Sequence, residues 1–333
     1  METSPPMPAT TGEPSEDEAT RSSASAPPSP AARPWYRRWL PFALAVALLA
    51  FTASRIDFGA FVRALSQLDY VGFTAFTLGW AALLLGADAL GSYVAYRIAM
   101  PGVRWLDLYI YRGASYIPSV ANFHVGQAYL TFLMSKLSKV SIRRMAGATL
   151  VSYASWMGCL TGCFALALPF TELPKVYTPV ILVVGVAYLA VIHTKPAALA
   201  KISFLSPLFE AGVKGHLVAL AARVPHLLVL VLGTWVSFLF FGVHIPLGHA
   251  LVYLPILLVA TTLPLTPQGF GTRDALAAFF FERYATDSTH AERLGRLGAC
   301  TTSWGIMTTI VAVLIGLVCS RFVRRRLREI GEA

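Results

Sequence analysis

The stretch TTLPLTPQGFGTRDALAAFFFERY, residues 261–284, decides how the chain is built. It lies in the most hydrophobic third of the sequence, yet it carries Pro264 and Pro267, Gly269 and Gly271, and the adjacent pair Arg273–Asp274. A plain spanning helix needs none of these. Proline removes a backbone donor and breaks a helix, and a charge in hydrocarbon costs about 3 kcal/mol even on the most lenient scales. A segment that keeps all of them has a task other than crossing.

The rest of the chain supplies the setting. Of 333 residues, 56% are hydrophobic and 13% charged, with a mean hydropathy of +0.61. A soluble domain of this length carries more charge and shorter apolar runs, so the composition predicts an all-α polytopic membrane protein. The net charge of +10 would suggest nucleic acid in a soluble protein. Here the basic residues sit between apolar runs, where they set topology and meet anionic headgroups, and no nucleic-acid partner is expected. Cys159, Cys163, Cys300 and Cys319 fall within apolar runs without metal-ligand spacing and read as small buried side chains. No metal and no cofactor is expected.

Residues 1–34 hold eight prolines and almost no large apolar side chain, and they read as a disordered cytoplasmic tail. The membrane domain is expected over 35–325, followed by a basic C-terminal tail, 326–333. Runs long enough to cross about 30 Å of hydrocarbon lie near 39–54, 71–96, 146–169, 177–194, 226–243 and 297–320. Segment 55–70 alternates charges with spaced apolar residues and predicts an interfacial helix, while 195–225 predicts a basic cytoplasmic connection with a surface helix.

Two apolar regions remain, 105–134 and 250–284, each interrupted by Pro, Gly and polar residues. The basic clusters decide their course. Arg97 and Arg104 precede the first region and Lys136, Lys139, Arg143 and Arg144 follow it, so it begins and ends on the inner side. The second begins outside and precedes a last span that ends inside at RFVRRRLR. Both therefore read as re-entrant helical hairpins. This arrangement places 20 of the 27 basic residues inside, with both termini cytoplasmic. It also creates an inverted repeat, with halves at about 71–169 and 226–320 joined by 170–225. The hairpin tips are IPSVANFHVGQ (117–127) and LPLTPQGFGTR (263–273), with Pro118 eight residues before Gly126 and Pro264 seven before Gly271.

Irregular backbone at membrane depth survives only where protein buries it or where it lines a polar cavity, and inverted repeats with broken helices are a transporter signature. Helices starting at Gly126 and Gly271 would offer free N–H groups to an anion, and Arg273 would add a fixed charge. Asn122, His124 and Gln127 crowd the inner tip, and Arg112 precedes it, where it either joins the site or snorkels to the headgroups. Asp88 lies several turns into the second run, where an ionisable group is a site by default: a proton relay, or an ion-pair partner for Arg112 or Arg273. The structural alternative is a helix–turn–helix with Arg273 and Asp274 at the interface, and a buried ion pair at Asp88. No GxSxG, HExxH or P-loop pattern occurs, so no catalytic residue is assigned and a non-enzyme is expected.

The motif TPQGFGTRDA resembles the P-x-G-x-G-x-R-E signature in the membrane region of lysylphosphatidylglycerol synthases and their stand-alone flippase-like relatives. Pro267, Gly269, Gly271 and Arg273 match it, and Asp274 replaces the Glu with the same charge. NFHVGQAYLTFLMSKLSKVSIRRMAGATLV is similar to the family's other signature, with Gln127 standing for its Glu and Leu130 for its Arg. The resemblance spans roughly 40–325. It implies movement of an anionic, aminoacylated or isoprenoid-linked lipid between leaflets of a bacterial or archaeal inner membrane. The family's soluble aminoacyl-transfer domain has no counterpart in this chain, so the implied activity is flippase or scramblase, with anionic phospholipid as partner. The competing expectation is a non-transporting scaffold for an envelope-synthesis enzyme.

Overall fold

A computed structural model describes residues 50, 54, 57–172, 174–262 and 271–331, with 260–262 as backbone only. The tail and nearly all of the expected 39–54 run lie outside these residues, as do Pro264, Pro267 and Gly269. The described residues are helical throughout, apart from turns and an isolated bridge between Val243 and Ala285.

Asp57 caps α1 (Phe58–Ser66) by accepting from Ala60 N at 2.8 Å. Asp69 does the same at Gly72 N, 3.0 Å, for α2 (Tyr70–Tyr96). Short polar side chains satisfy the orphan donors of a first helical turn, which is why each helix starts where it does. Next come α3 (Trp105–Ala114), α4 (Tyr116–Ala121) and α5 (Phe123–Ser138). Ser141 caps α6 (Ile142–Ala167), and a 3₁₀ turn carries it to Phe170. Then follow α7 (Tyr177–Thr194), α8 (Ala197–Ala200) and α9 (Ser206–Phe240), and after them α10 (Leu247–Thr262) and α11 (Thr272–Phe281). A reciprocal cap between Thr289 and Glu292 opens α12 (His290–Glu329).

Five of these helices are long and apolar enough to cross a membrane: α2, α6 with its 3₁₀ extension, α7, α9 and α12. They correspond to five of the six expected runs and fit a multi-pass membrane protein. The helices of the two interrupted regions are shorter. At 1.5 Å per residue, α3 and α11 are about 15 Å long and α5 and α10 about 24 Å, all short of the ~30 Å hydrocarbon core.

One expectation changes. The fifth run was placed at 226–243, after a basic connection ending in Pro225. The continuous helix instead begins just after Gly212, some thirteen residues earlier, and Pro225 lies inside it. Gly212, at φ 57° and ψ −179°, breaks the helix near its start in a conformation only glycine adopts readily. Beyond it α9 packs along α2 and α6. That packing holds the helix through Pro225, whose missing N–H leaves only the Ala221 carbonyl without its usual donor. Arg223, expected in the connection, is therefore buried in the middle of a helix.

Two large side-chain cores, with a smaller third around Ala95, Val151 and Ala219, hold the bundle among the described residues. One joins α2, α6, α9, α10, α11 and α12 through Phe73, Leu160, Val231, Leu254, Phe281 and Trp304. The other joins α2, α3, α5, α6 and α12 through Tyr96, Leu108, Leu130, Met145 and Val323. Helices in lipid gain no hydrophobic drive from touching each other, so close packing of small residues carries more of the stability. Gly233 accepts the Trp80 indole directly against its backbone, where a Cβ would collide. There Trp80 donates to Val229 O at 2.8 Å and lies 4.6 Å from the Trp304 ring. By contrast α7 buries only Ile192 and presents the rest of its apolar surface outward.

Candidate functional site

The polar centre of the bundle is Asp88. It lies eighteen residues from the start of α2 and eight from its end, about 12 Å from the nearer terminus. Its two carboxylate oxygens serve two different helices. Arg112 of α3 donates Nε–H to Oδ2 at 2.5 Å, and Arg223 of α9 donates Nη1–H to Oδ1 at 2.6 Å. All three residues are 4% exposed. A buried charge without a partner costs several kcal/mol, so the three side chains are obliged to find each other.

Hydroxyls and an amide complete the shell. Arg223 Nη2 donates to Ser92 Oγ at 3.2 Å and Ser152 Oγ at 2.5 Å. Arg112 Nη1 donates to Gln127 Oε1 at 3.0 Å, and Gln127 Nε2 donates to the Tyr96 hydroxyl at 3.1 Å. That hydroxyl is shared with Thr149 at 2.8 Å. The amide of Gln127 is oriented by this chain: only with Oε1 toward Arg112 does the guanidinium meet an acceptor.

The cluster forms the polar wall of a cavity of about 380 Å³. Trp80, Leu84, Trp156, Leu230 and Leu258 supply apolar wall, and Tyr116, Ser119, Asn122, His124 and Tyr153 line it as well. His226 also faces the site, with Nδ1 3.9 Å from Asp88 Oδ1 and its ring 4.7 Å from Trp156. The short α4–α5 turn at Asn122–His124, which lines the cavity, is exposed. His124 Nδ1 and the Tyr153 hydroxyl lie 3.0 Å apart there.

The structure thus gathers five of the sequence-derived candidates, Asp88, Arg112, Asn122, His124 and Gln127, around one cavity. Gly126 supports it from behind: its added Cβ would lie 2.8 Å from Ser115 O and collide with Ser119 Oγ. The expected free N–H at Gly126 is not there. α5 starts three residues earlier, at Phe123, and Gly126 N already donates to Asn122 O at 3.2 Å. Gly271 N is likewise taken by Asp274 Oδ2 at 2.9 Å.

Gly271, Arg273 and Asp274 are not among the residues that line this cavity. Arg273 is pinned on α12, donating Nη2–H to Thr301 O at 2.8 Å, with its guanidinium against Gly305. Its Nε lies 4.0 Å from Asp274 Oδ1. Of the two partners considered for Asp88, Arg112 is found and Arg273 is not. Arg112 does not reach for the surface either.

Arg223, His226, Trp156, Tyr153 and Ser152 escaped the sequence reading. The signal for Arg223 was present in the apolar neighbours on both sides, in LVALAARVPHLLVLVL, but Pro225 drew the helix boundary past it. Comparison of the chain with protein-family models, with curated proteins and with solved structures finds no match.

Proposed function

We propose that this protein moves a lipid between membrane leaflets, as a flippase or scramblase of the kind its two motifs resemble in the lysylphosphatidylglycerol synthase family. In this reading residues 105–134 and 250–284 are oppositely inserted re-entrant hairpins. The headgroup crosses through the interior between them while the acyl chains stay in the bilayer. The observation that supports it most is the Asp88–Arg112–Arg223 cluster. It puts fixed cationic donors about 12 Å from a helix end, in a cavity that also has an apolar wall. That pairing of surfaces suits an amphiphile better than a free ion, which needs no apolar wall, or an apolar molecule, which needs no guanidinium. Arg112 takes the headgroup role first given to Arg273, and Arg273 holds the outer hairpin against α12.

The test is leaflet exchange of fluorescent phosphatidylglycerol in liposomes reconstituted with the full chain. Wild-type protein should bleach the protected reporter fraction, Arg112→Ala should abolish the exchange, and Arg273→Ala should reduce it. Size-exclusion profiles report folding of each variant. Wild-type liposomes indistinguishable from empty ones, with a stoichiometric enzyme co-purifying, would replace this reading with the scaffold.

A further inference from the structure

The charges around the cavity do not balance. Two guanidiniums, Arg112 and Arg223, share one carboxylate, and Asp88 is the only acidic side chain among the described lining residues. Gln127 occupies the position from which a second carboxylate would complete the set, with its amide oxygen 3.0 Å from Arg112 Nη1. His226 can only add positive charge. Among the described residues the site therefore carries an excess of at least one, in side chains that are 4% exposed. The two guanidiniums differ in what they leave open. Arg223 spends both terminal nitrogens on Asp88, Ser92 and Ser152, and its Nε is fully buried with no acceptor among the described residues. Arg112 spends Nε on Asp88 and Nη1 on Ser115 and Gln127, and its Nη2 has no hydrogen-bond partner among the described residues. A guanidinium edge without an acceptor is costly at low dielectric, and a neutral amide beside it leaves the charge uncompensated.

Building on the lipid-binding part of the reading above, we infer that the cavity takes a phosphate group of net charge −1 with no cationic substituent, and that Gln127 sets this preference. A phosphodiester oxygen on Arg112 Nη2 supplies the missing acceptor and the missing charge together. A zwitterionic headgroup brings its phosphate with an ammonium that the cluster repels. A carboxylate at position 127 would neutralise the cluster from within and remove the advantage of an anion.

Binding, rather than transport, tests this. Full-length protein in uncharged detergent is offered equimolar phosphatidylglycerol and phosphatidylethanolamine with identical acyl chains, and bound lipid is read by native mass spectrometry. Phosphatidylglycerol should be preferred on the order of tenfold, the scale of one charge-assisted contact. Gln127→Glu should level the two lipids, Gln127→Met should keep the preference, and Arg112→Gln, which removes the excess from the other partner, should also level them. Displacement of the lipid by millimolar inorganic phosphate would assign recognition to the anion alone; its failure would assign it to a membrane-borne phosphate. Equal binding of both lipids by wild type, or an undiminished preference in folded Gln127→Glu, would overturn the inference. Leaflet exchange is a separate readout. A selective protein that moves no lipid would keep this site and sink the transport reading, and an unselective one that exchanges lipid would do the reverse.

Discussion

Replacing Asp88 by Asn keeps the side chain's volume and removes its charge. In the wild type one carboxylate accepts from Arg112 at 2.5 Å and Arg223 at 2.6 Å, with each side chain 5% exposed. The carboxamide keeps one acceptor oxygen, while its NH₂ turns a donor toward a second donor. Removing one partner of a buried ion pair costs about 3–5 kcal/mol. Both cations retain neutral acceptors, Gln127 for Arg112 and two serines for Arg223, so the loss stays within that range. Arg223→Gln behaves differently. It leaves Asp88 and Arg112 in one-to-one balance, so it should cost less than Asp88→Asn despite deleting more hydrogen bonds. The double variant should lose less than the sum of the singles, with a coupling of about 2–3 kcal/mol. Unfolding by SDS titration in mixed micelles, followed by tryptophan fluorescence, reads all three. Arg223→Gln as costly as Asp88→Asn, or additivity within about 0.5 kcal/mol, would refute the argument that net charge in this cluster governs its stability.

Gly91→Ala should weaken the same cluster from behind. Its Cβ would sit 2.5 Å from Arg223 Cδ and 2.6 Å from Nε, an overpacking of about 1–3 kcal/mol, whereas Gly79→Ala, with nothing within 4 Å, should be silent in the same titration. At the start of α12, hydrogen bonds from Arg296 hold the Asp287 carboxyl below its ordinary value against the opposing effect of burial. A carboxyl depressed in the folded state contributes stability above its unfolded value, and loses it as pH falls through the folded one. Hydrogen exchange over residues 282–293 should therefore accelerate as pH drops below about 4, after correction for intrinsic rates, and Asp287→Asn should already exchange fast at neutral pH. Single cysteines at Gly248 and Lys139, in a background lacking the four native ones, should react with an impermeant reagent from opposite sides of the membrane. Labelling from one side would break the inverted-repeat topology.

Much of the architecture could be read directly. Apolar runs such as 177–194 appear as helices with the same bounds because length and hydropathy alone decide whether a segment can cross hydrocarbon. Asp88 and Arg112 were visible as anomalies for the same reason, since an ionisable group in an apolar run has no local justification. Arg223 was equally anomalous once its helix was known, but Pro225 two residues on argued for a boundary, and local propensity is what tertiary packing overrides. The glycine-start reading failed at the inner tip alone: Asn122 caps α5 four residues before Gly126, and Gly126 serves close packing against Ser119, whereas Gly271 does cap α11.

The sequence by itself determined that the described residues are helical, roughly where five long apolar helices run, and which side chains could not rest in lipid without a partner. Only the tertiary structure decided who the partners are. Asp88 meets Arg223 across 135 residues of chain, while Arg273, the most conspicuous charge in the opening stretch, meets a carbonyl of α12. The physical reason is that periodicity and hydropathy are local, whereas charge compensation in a low-dielectric interior depends on which helices pack together.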